Sequence, residues 1–246
     1  MSDGDKGRGR ARHSLYLGLL GGLVGSLLTL FVLMLAAPQL VGERIVRHAL
    51  LNRPDMLVEA SDALRARQYK PLLDANRQAI ETPFASSVAG ADEKAEKLVT
   101  MAYFFDYACT FCKKSKPDID RLLSEDESLR VVYRELPILG PASIAAARVS
   151  LAASEQGKFN AFYEALERKP KPNEETITQA AIEVGVLLPE QPSAAAEEEL
   201  QRNLAIAERL GASGTPLFII GDQVINSAVG YDALKAAVAK ARDAQR

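Results

Sequence analysis

With 246 residues the chain can form one medium domain with appendages, or two small domains. Its 30 basic and 32 acidic residues leave a net charge of −2, which excludes the electrostatic footprint of a nucleic-acid binder, so no nucleic acid is expected as a partner. The 2 cysteines cannot staple a mini-domain, and the 2 histidines, His13 and His48, supply metal chemistry poorly, so neither a metal site nor a dissociable cofactor is expected.

Leu15 to Ala37 is an uncharged, mostly apolar run in which Ser26 and Thr29 are the only strongly polar residues. At 1.5 Å per residue it would reach roughly 35 Å, enough to cross a ~30 Å hydrocarbon core with some tilt. A cleaved signal peptide is the rival reading, but its apolar region runs about 7–15 residues and ends in small-x-small. Here Met34 and Leu35 stand where small residues would be wanted, and Pro38 follows. The run therefore reads as a transmembrane anchor, residues 15–37, behind a cytoplasmic tail, residues 1–14. Lys6, Arg8, Arg10 and Arg12 favour retention of that tail inside, although Arg44, Arg47 and Arg53 follow on the other side. Gly18 with Gly22, and Gly21 with Gly25, match G-x-x-x-G, but glycine is common in membrane helices and the spacing is read that way.

Residues 38–94 have the composition of a helical spacer and linker. Asn52, Pro54 and Asp55 combine a cap, an early proline and an N-terminal acid. Leu57, Ala60 and Leu64 continue a narrow apolar stripe to about Tyr69, where Pro71 interrupts, and a second short helix is expected over Leu72 to Ile80. Stripes this narrow must pack on the main domain or on the same segment of another subunit, so a homo-oligomer through residues 38–81 is a candidate. Thr82 to Lys97 reads as a loose linker.

Leu98 to Phe105 reads as a buried strand, with Val99, Met101, Tyr103 and Phe105 alternating against Thr100, Ala102 and Phe104. A helix from Thr110 to Ser124 follows, with a kink expected at Pro117. Leu129 to Leu136 alternates as a second strand, and strand, helix, strand in this order implies a parallel βαβ unit. Helices are then expected over Ser143 to Glu155, Lys158 to Arg168, Glu174 to Val184 and about Ala194 to Leu210. Leu217 to Ile220 and Gln223 to Asn226, joined by Gly221-Asp222, read as a β-hairpin, and a last helix spans about Tyr231 to Arg242.

The only cysteines, Cys109 and Cys112, form a C-x-x-C between the first strand and the first helix of this unit, the arrangement of a redox dithiol. Unpaired N–H groups at a helix N-terminus stabilise a thiolate at Cys109, which also makes the disulfide more oxidising. Cys109 would meet clients and Cys112 would resolve. A zinc site lacks two ligands, and a static disulfide closing so short a loop would constrain the unfolded chain little. Two unreactive buried thiols are the remaining bland alternative.

Three motifs then carry a family resemblance over roughly residues 95–246. Phe104-Phe-Asp-Tyr-Ala-Cys-Thr-Phe-Cys-Lys113 resembles the active site of DsbA-like thioredoxin-fold oxidoreductases. Glu135-Leu-Pro-Ile-Leu-Gly-Pro-Ala-Ser143 resembles their junction between strand and helical insert. Gly211-Ala-Ser-Gly-Thr-Pro-Leu-Phe-Ile-Ile-Gly221 resembles the segment bearing their cis-proline. The pattern is most similar to the ScsC and copper-resistance branch. The resemblance implies an α/β thioredoxin-like fold with a helical insertion at about 141–211, preceded by the transmembrane helix and helical spacer. It implies Pro216 as the cis-proline beside the dithiol and Thr215 as the backbone that receives an extended client chain.

Two positions depart from the family pattern. Tyr103 stands where many relatives carry a buried acid that moves the resolving thiol's proton, and strand parity argues against Asp106 in that role. Phe111 stands where DsbA has histidine, so the extra thiolate stabilisation from that histidine is absent. The resulting expectation is a single-pass protein of the bacterial inner membrane with its catalytic domain in the periplasm. It would exchange disulfides with exported clients through mixed disulfides and be regenerated by a separate redox partner. An oligomeric isomerase or reductase, and a non-catalytic client-binding or copper-handling protein, are the alternatives.

Overall fold

The computed structural model describes residues 25, 26, 31 and 46–245, apart from the side chain of Asp62. The chain divides into two compact units, Met1–Ala63 and Leu64–Arg246. In the first unit, residues 46–52 are helical and helix α1, Asp55–Glu81, begins.

The expected anchor at 15–37 lies almost wholly outside the described residues. Among the described residues no helix is long and apolar enough to cross a membrane. The long helix α1 carries charged side chains from Asp55 to Glu81, and lipid would leave those charges without water. The transmembrane helix, and the inner-membrane location that rested on it, are therefore withdrawn, whereas the thioredoxin-like α/β domain stands.

The second unit is built on five strands: β1 Val88–Gly90, β2 Val99–Phe105, β3 Leu129–Glu135, β4 Leu217–Ile220 and β5 Gln223–Ile225, in the order β1-β3-β2-β4-β5. β2 and β3 are parallel, with Val99 opposite Leu129 and Phe105 opposite Glu135, joined by helix α2, Thr110–Glu125. The other pairings are antiparallel. α2 runs unbroken through Pro117. Helices α3 Pro141–Glu155, α4 Phe159–Glu167, α5 Glu174–Glu183 and α6 Ala194–Arg209 separate β3 from β4, and α7 Tyr231–Asp243 ends the chain.

The alternation in β2 sorts the core into two faces. Val99, Met101, Tyr103 and Phe105 join Ile119 and Leu122 of α2, Phe159, Phe162 and Tyr163 of α4, and Leu234 and Val238 of α7. Ala102 and Phe104 meet Leu73 and Ile80 of α1, Ile206 of α6 and Leu217 and Ile219 of β4. Burying Leu73 and Ile80 explains why α1 continues past Pro71, where a break was expected. A proline removes one helical hydrogen bond, but the turn beyond it is held by packing on the sheet and by ion pairs from Lys70 and Arg77 to Asp222, at 3.4 and 2.7 Å.

The loose linker expected over 82–97 contains β1, which pairs antiparallel with β3 at the sheet edge. Ser86 and Ser87 fasten this strand to Ser154 of α3 by hydrogen bonds of 2.8–2.9 Å. Gly90 is required at φ 88°, where a Cβ would strike the Leu129 carbonyl.

Candidate active site

The exit of β2 delivers the dithiol. Cys109 is the N-cap of α2, with φ −81° and ψ 114°, and its sulfur accepts from the Cys112 backbone N–H at 3.4 Å. Both cysteines are free thiols, and they differ in access: Cys109 is 7% exposed and Cys112 is 1% exposed. β4 starts beside this turn, because Leu217 pairs with Phe104. The preceding Thr215–Pro216 peptide bond is cis, and the Thr215 carbonyl accepts from the Cys109 thiol at 3.2 Å. Cys109, Cys112, Thr215 and Pro216 are thus brought together.

The electrostatics separate the two sulfurs. The hydrogen bond from the Cys112 thiol contributes most to holding the Cys109 thiol below its ordinary range, at about 5, against the opposing effect of burial. The Thr215 side chain and the backbone N–H groups of Cys112 and Phe111 act in the same direction, although the Thr215 hydroxyl has no partner at hydrogen-bond geometry among the described residues. Cys112 moves the opposite way, pushed far up chiefly by burial and then by its bond to Cys109. The resulting pair has one sulfur ready to carry negative charge and one that keeps its proton.

Tyr103 lies under the dithiol helix, fully buried, and donates to the Cys112 carbonyl at 3.3 Å. Its ring stacks between Phe105 and Phe218 at 5.3 and 5.0 Å. Burial pushes its hydroxyl well above the ordinary phenol range, so it holds the helix and accepts no proton. Asp106, for which no role was expected, is buried and accepts backbone N–H bonds from Ala108, Ile138 and Leu139. Phe111 is exposed, and Lys114 lies 5.6 Å over its ring. Lys113 reaches instead to the insertion, donating to the Lys169 carbonyl at 2.6 Å.

Two further acids were missed. Glu167 ends α4 on the stripe of Phe159 and Tyr163, an i, i+4 spacing that could have flagged it as inward-facing. Burial pushes its carboxyl up to about 7, against Lys113 and Lys116. Glu135, at the end of β3, is buried, has one oxygen without a partner among the described residues and is pushed well above the carboxylate range by desolvation.

Residues 100–239 match the family described as DSBA-like thioredoxin domain. Among solved structures the chain is similar to a thioredoxin-like oxidoreductase from Silicibacter pomeroyi, at 36% identity over 68% of this chain and 98% of that one, with a TM-score of 0.62. It is also similar to Proteus mirabilis ScsC in a transitional conformation, at 27% identity over 85% of this chain and 99% of that one, with a TM-score of 0.64. Among curated proteins it is 26% identical over 188 residues to the Na(+)/H(+) antiporter NhaA 3 of Salinispora tropica. That match takes in 72% of this chain but spans only 28% of the antiporter's length.

Proposed function

The chain belongs to the DSBA-like thioredoxin-domain family and is a thiol–disulfide oxidoreductase, and from that premise we propose that it exchanges disulfides with client proteins through Cys109 and Cys112. The asymmetry of the two sulfurs supports this reading: an N-cap sulfur held at about 5 beside a buried thiol that keeps its proton. In the oxidising direction a client thiolate attacks the Cys109 sulfur of the Cys109–Cys112 disulfide. The ring S–S bond breaks, and its electron pair leaves on Cys112, which takes up a proton. A second client thiolate attacks the client sulfur of the mixed disulfide and expels Cys109 as a thiolate. Two client thiols are oxidised and the pair is reduced, so a separate protein oxidant must restore it. Thr215 presents its backbone to the extended client, and Pro216 keeps a competing N–H away from the sulfurs.

A stable Cys109 thiolate favours the reduced pair and hence donation of the disulfide to clients. An isomerase or reductase working as a homo-oligomer is the second reading. It draws on the exposed apolar side chains Val46, Leu51, Met56, Leu57, Val58 and Leu64, which call for a partner surface. Trapping the cellular redox state with an alkylating agent separates the two. An oxidised pair supports donation; a reduced pair supports isomerisation or reduction. A Cys112→Ala variant should accumulate client adducts on Cys109, and unchanged biological activity of Cys109→Ser would sink both readings.

A further inference from the structure

Three chain segments meet where the dithiol leaves the sheet. In the order β3-β2-β4, β3 runs out into residues 136–140, β2 runs out into the Cys109 turn, and β4 begins just after Pro216. The dithiol turn is therefore flanked by two loops. On the β4 side the link is the Thr215 carbonyl already described. On the β3 side, beyond the Leu136 N–H bond to the Phe105 carbonyl, one side chain ties the loop to the turn. Asp106 is 1% exposed, and its Oδ2 accepts from the backbone N–H groups of Ile138 and Leu139 at 2.9 and 3.0 Å. Its Oδ1 accepts from the Ala108 N–H at 2.8 Å, and its own carbonyl accepts from the Cys109 N–H at 2.9 Å.

Three N–H bonds to one buried carboxylate make a strong local lock, since bonds to an ionised acceptor are about twice as strong as neutral ones. The loop held this way does not fill the core. Ile138 and Leu139 are 39% and 54% exposed, and Phe111 on the dithiol helix is 57% exposed. The stretch Leu136-Pro-Ile-Leu-Gly-Pro141 carries no charge, so an ionic client segment would find no partner on it. Through Asp106 the Ile138–Leu139 backbone and the Ala108–Cys109 turn are held to one carboxylate, so this apolar edge borders the dithiol turn.

Resting on the reading of Cys109 as the thiol that meets clients, we propose that Asp106 is a positioning residue. It holds the Ile138–Leu139 loop beside Cys109, so that these two side chains dock an apolar residue next to the client's reacting cysteine.

The test compares the reduced full chain on two peptide disulfides, one with leucine and one with serine beside the cysteine. The peptide disulfide is reduced to thiols as Cys109 and Cys112 are oxidised. The rate with a small aromatic disulfide, dithiobis(nitrobenzoic acid), normalises each variant for changes at the sulfur itself. The wild-type chain is expected to favour the leucine peptide by about tenfold, through a lower half-saturating concentration. Asp106→Ala, which removes both acceptor oxygens, should bring that preference to within about twofold of unity. Leu139→Ser, at an exposed position that does not threaten the fold, should lower it alike. In the double variant the second change should add nothing, because both act through one loop.

An unaltered preference in Asp106→Ala, or additive losses in the double variant, would overturn the proposal. So would the absence of any wild-type preference for leucine. Exchange persisting in Cys109→Ser would instead overturn the underlying dithiol reading, and that outcome is read independently of Asp106.

Discussion

The backbone N–H of Cys112 points at the sulfur of Cys109 across 3.4 Å, so the residue that caps helix α2 is also the one that carries the reacting sulfur. Capping and reactivity are then one interaction. The N–H that would otherwise be orphaned at the helix start is satisfied best by a thiolate, and the helix dipole adds to the preference. This links the stability of the reduced fold to its leaving-group chemistry.

With the Cys112 thiol contributing most and the Cys112 backbone N–H adding to it, thiolate absorbance of the reduced chain should titrate with a midpoint near 5. A folded value below the unfolded one stabilises the reduced fold above the unfolded value, and that stability is lost as pH falls through 5. At pH 7 the contribution is about 2 kcal/mol. Cys109→Ser should lower the reduced chain's stability by about that amount at pH 7 in urea titrations, and by little at pH 4. A midpoint in the ordinary thiol range would contradict a Cys109 thiolate held by the Cys112 thiol and the helix N–H groups.

Glu167 has the opposite sign. Its carboxyl is raised from 4.5 to about 7 chiefly by burial, with Lys113 and Lys116 of α2 pulling it down and Glu164 and Cys109 pushing it up. Stability from the neutral acid is fully present below 4.5 and is lost as pH rises through 7. Glu167→Gln should raise stability at pH 8 by about 2 kcal/mol and flatten the profile between pH 4.5 and 8. The Cys109 midpoint near 5 should not move, because Glu167 is already neutral at that pH. A destabilised variant at pH 8 would show that the carboxylate is bound rather than merely buried.

The site was legible where its signals are local. C-x-x-C after an apolar strand, and Gly-Thr-Pro before a hairpin, are short patterns, and the structure brings their residues together. The unread parts depend on distant partners. Asp106 meets Ile138 and Leu139 across a gap no pattern encodes. β1 has three residues and no alternation, and exists because β3 offers an unpaired edge. Pro71 reads as a stop, yet Leu73 and Ile80 carry α1 onward by burial. The expectation of a membrane anchor came from hydropathy alone, and the described helices do not supply one.

Tyr103→Phe tests whether a proton acceptor resides beneath the dithiol. The hydroxyl donates a 3.3 Å bond to a backbone carbonyl and sits far above the ordinary phenol range, so it takes no proton from Cys112. Removing it should lower stability by about 1 kcal/mol, and the rate of mixed-disulfide resolution should change by no more than about threefold. A tenfold slower resolving step, read from the lifetime of a trapped client adduct, would return a proton-transfer role to this position.

Arg134 tests how α1 is tied to the sheet. The alternation of β3 turns this residue toward α1 and α6, where it is 1% exposed. It pairs with Glu199 of α6, donates to the Thr82 and Ile80 carbonyls at 2.9 and 3.3 Å, and approaches Asn203 at 3.5 Å. One buried guanidinium therefore satisfies the carbonyls at the end of α1 and clamps α6 against it. Arg134→Met leaves those carbonyls unmet and leaves Glu199, among the described residues, with only Arg202, 3.0 Å away at the surface, as an ion-pair partner. The loss should be about 3–5 kcal/mol by urea denaturation, with hydrogen exchange rising first in α1 beyond Pro71. Adding Glu199→Leu removes the stranded charge and frees only the half-exposed Arg202, so the double variant should regain about half of the loss. A single variant weakened by less than about 1 kcal/mol would mean that Leu73 and Ile80 alone hold the helix to the sheet.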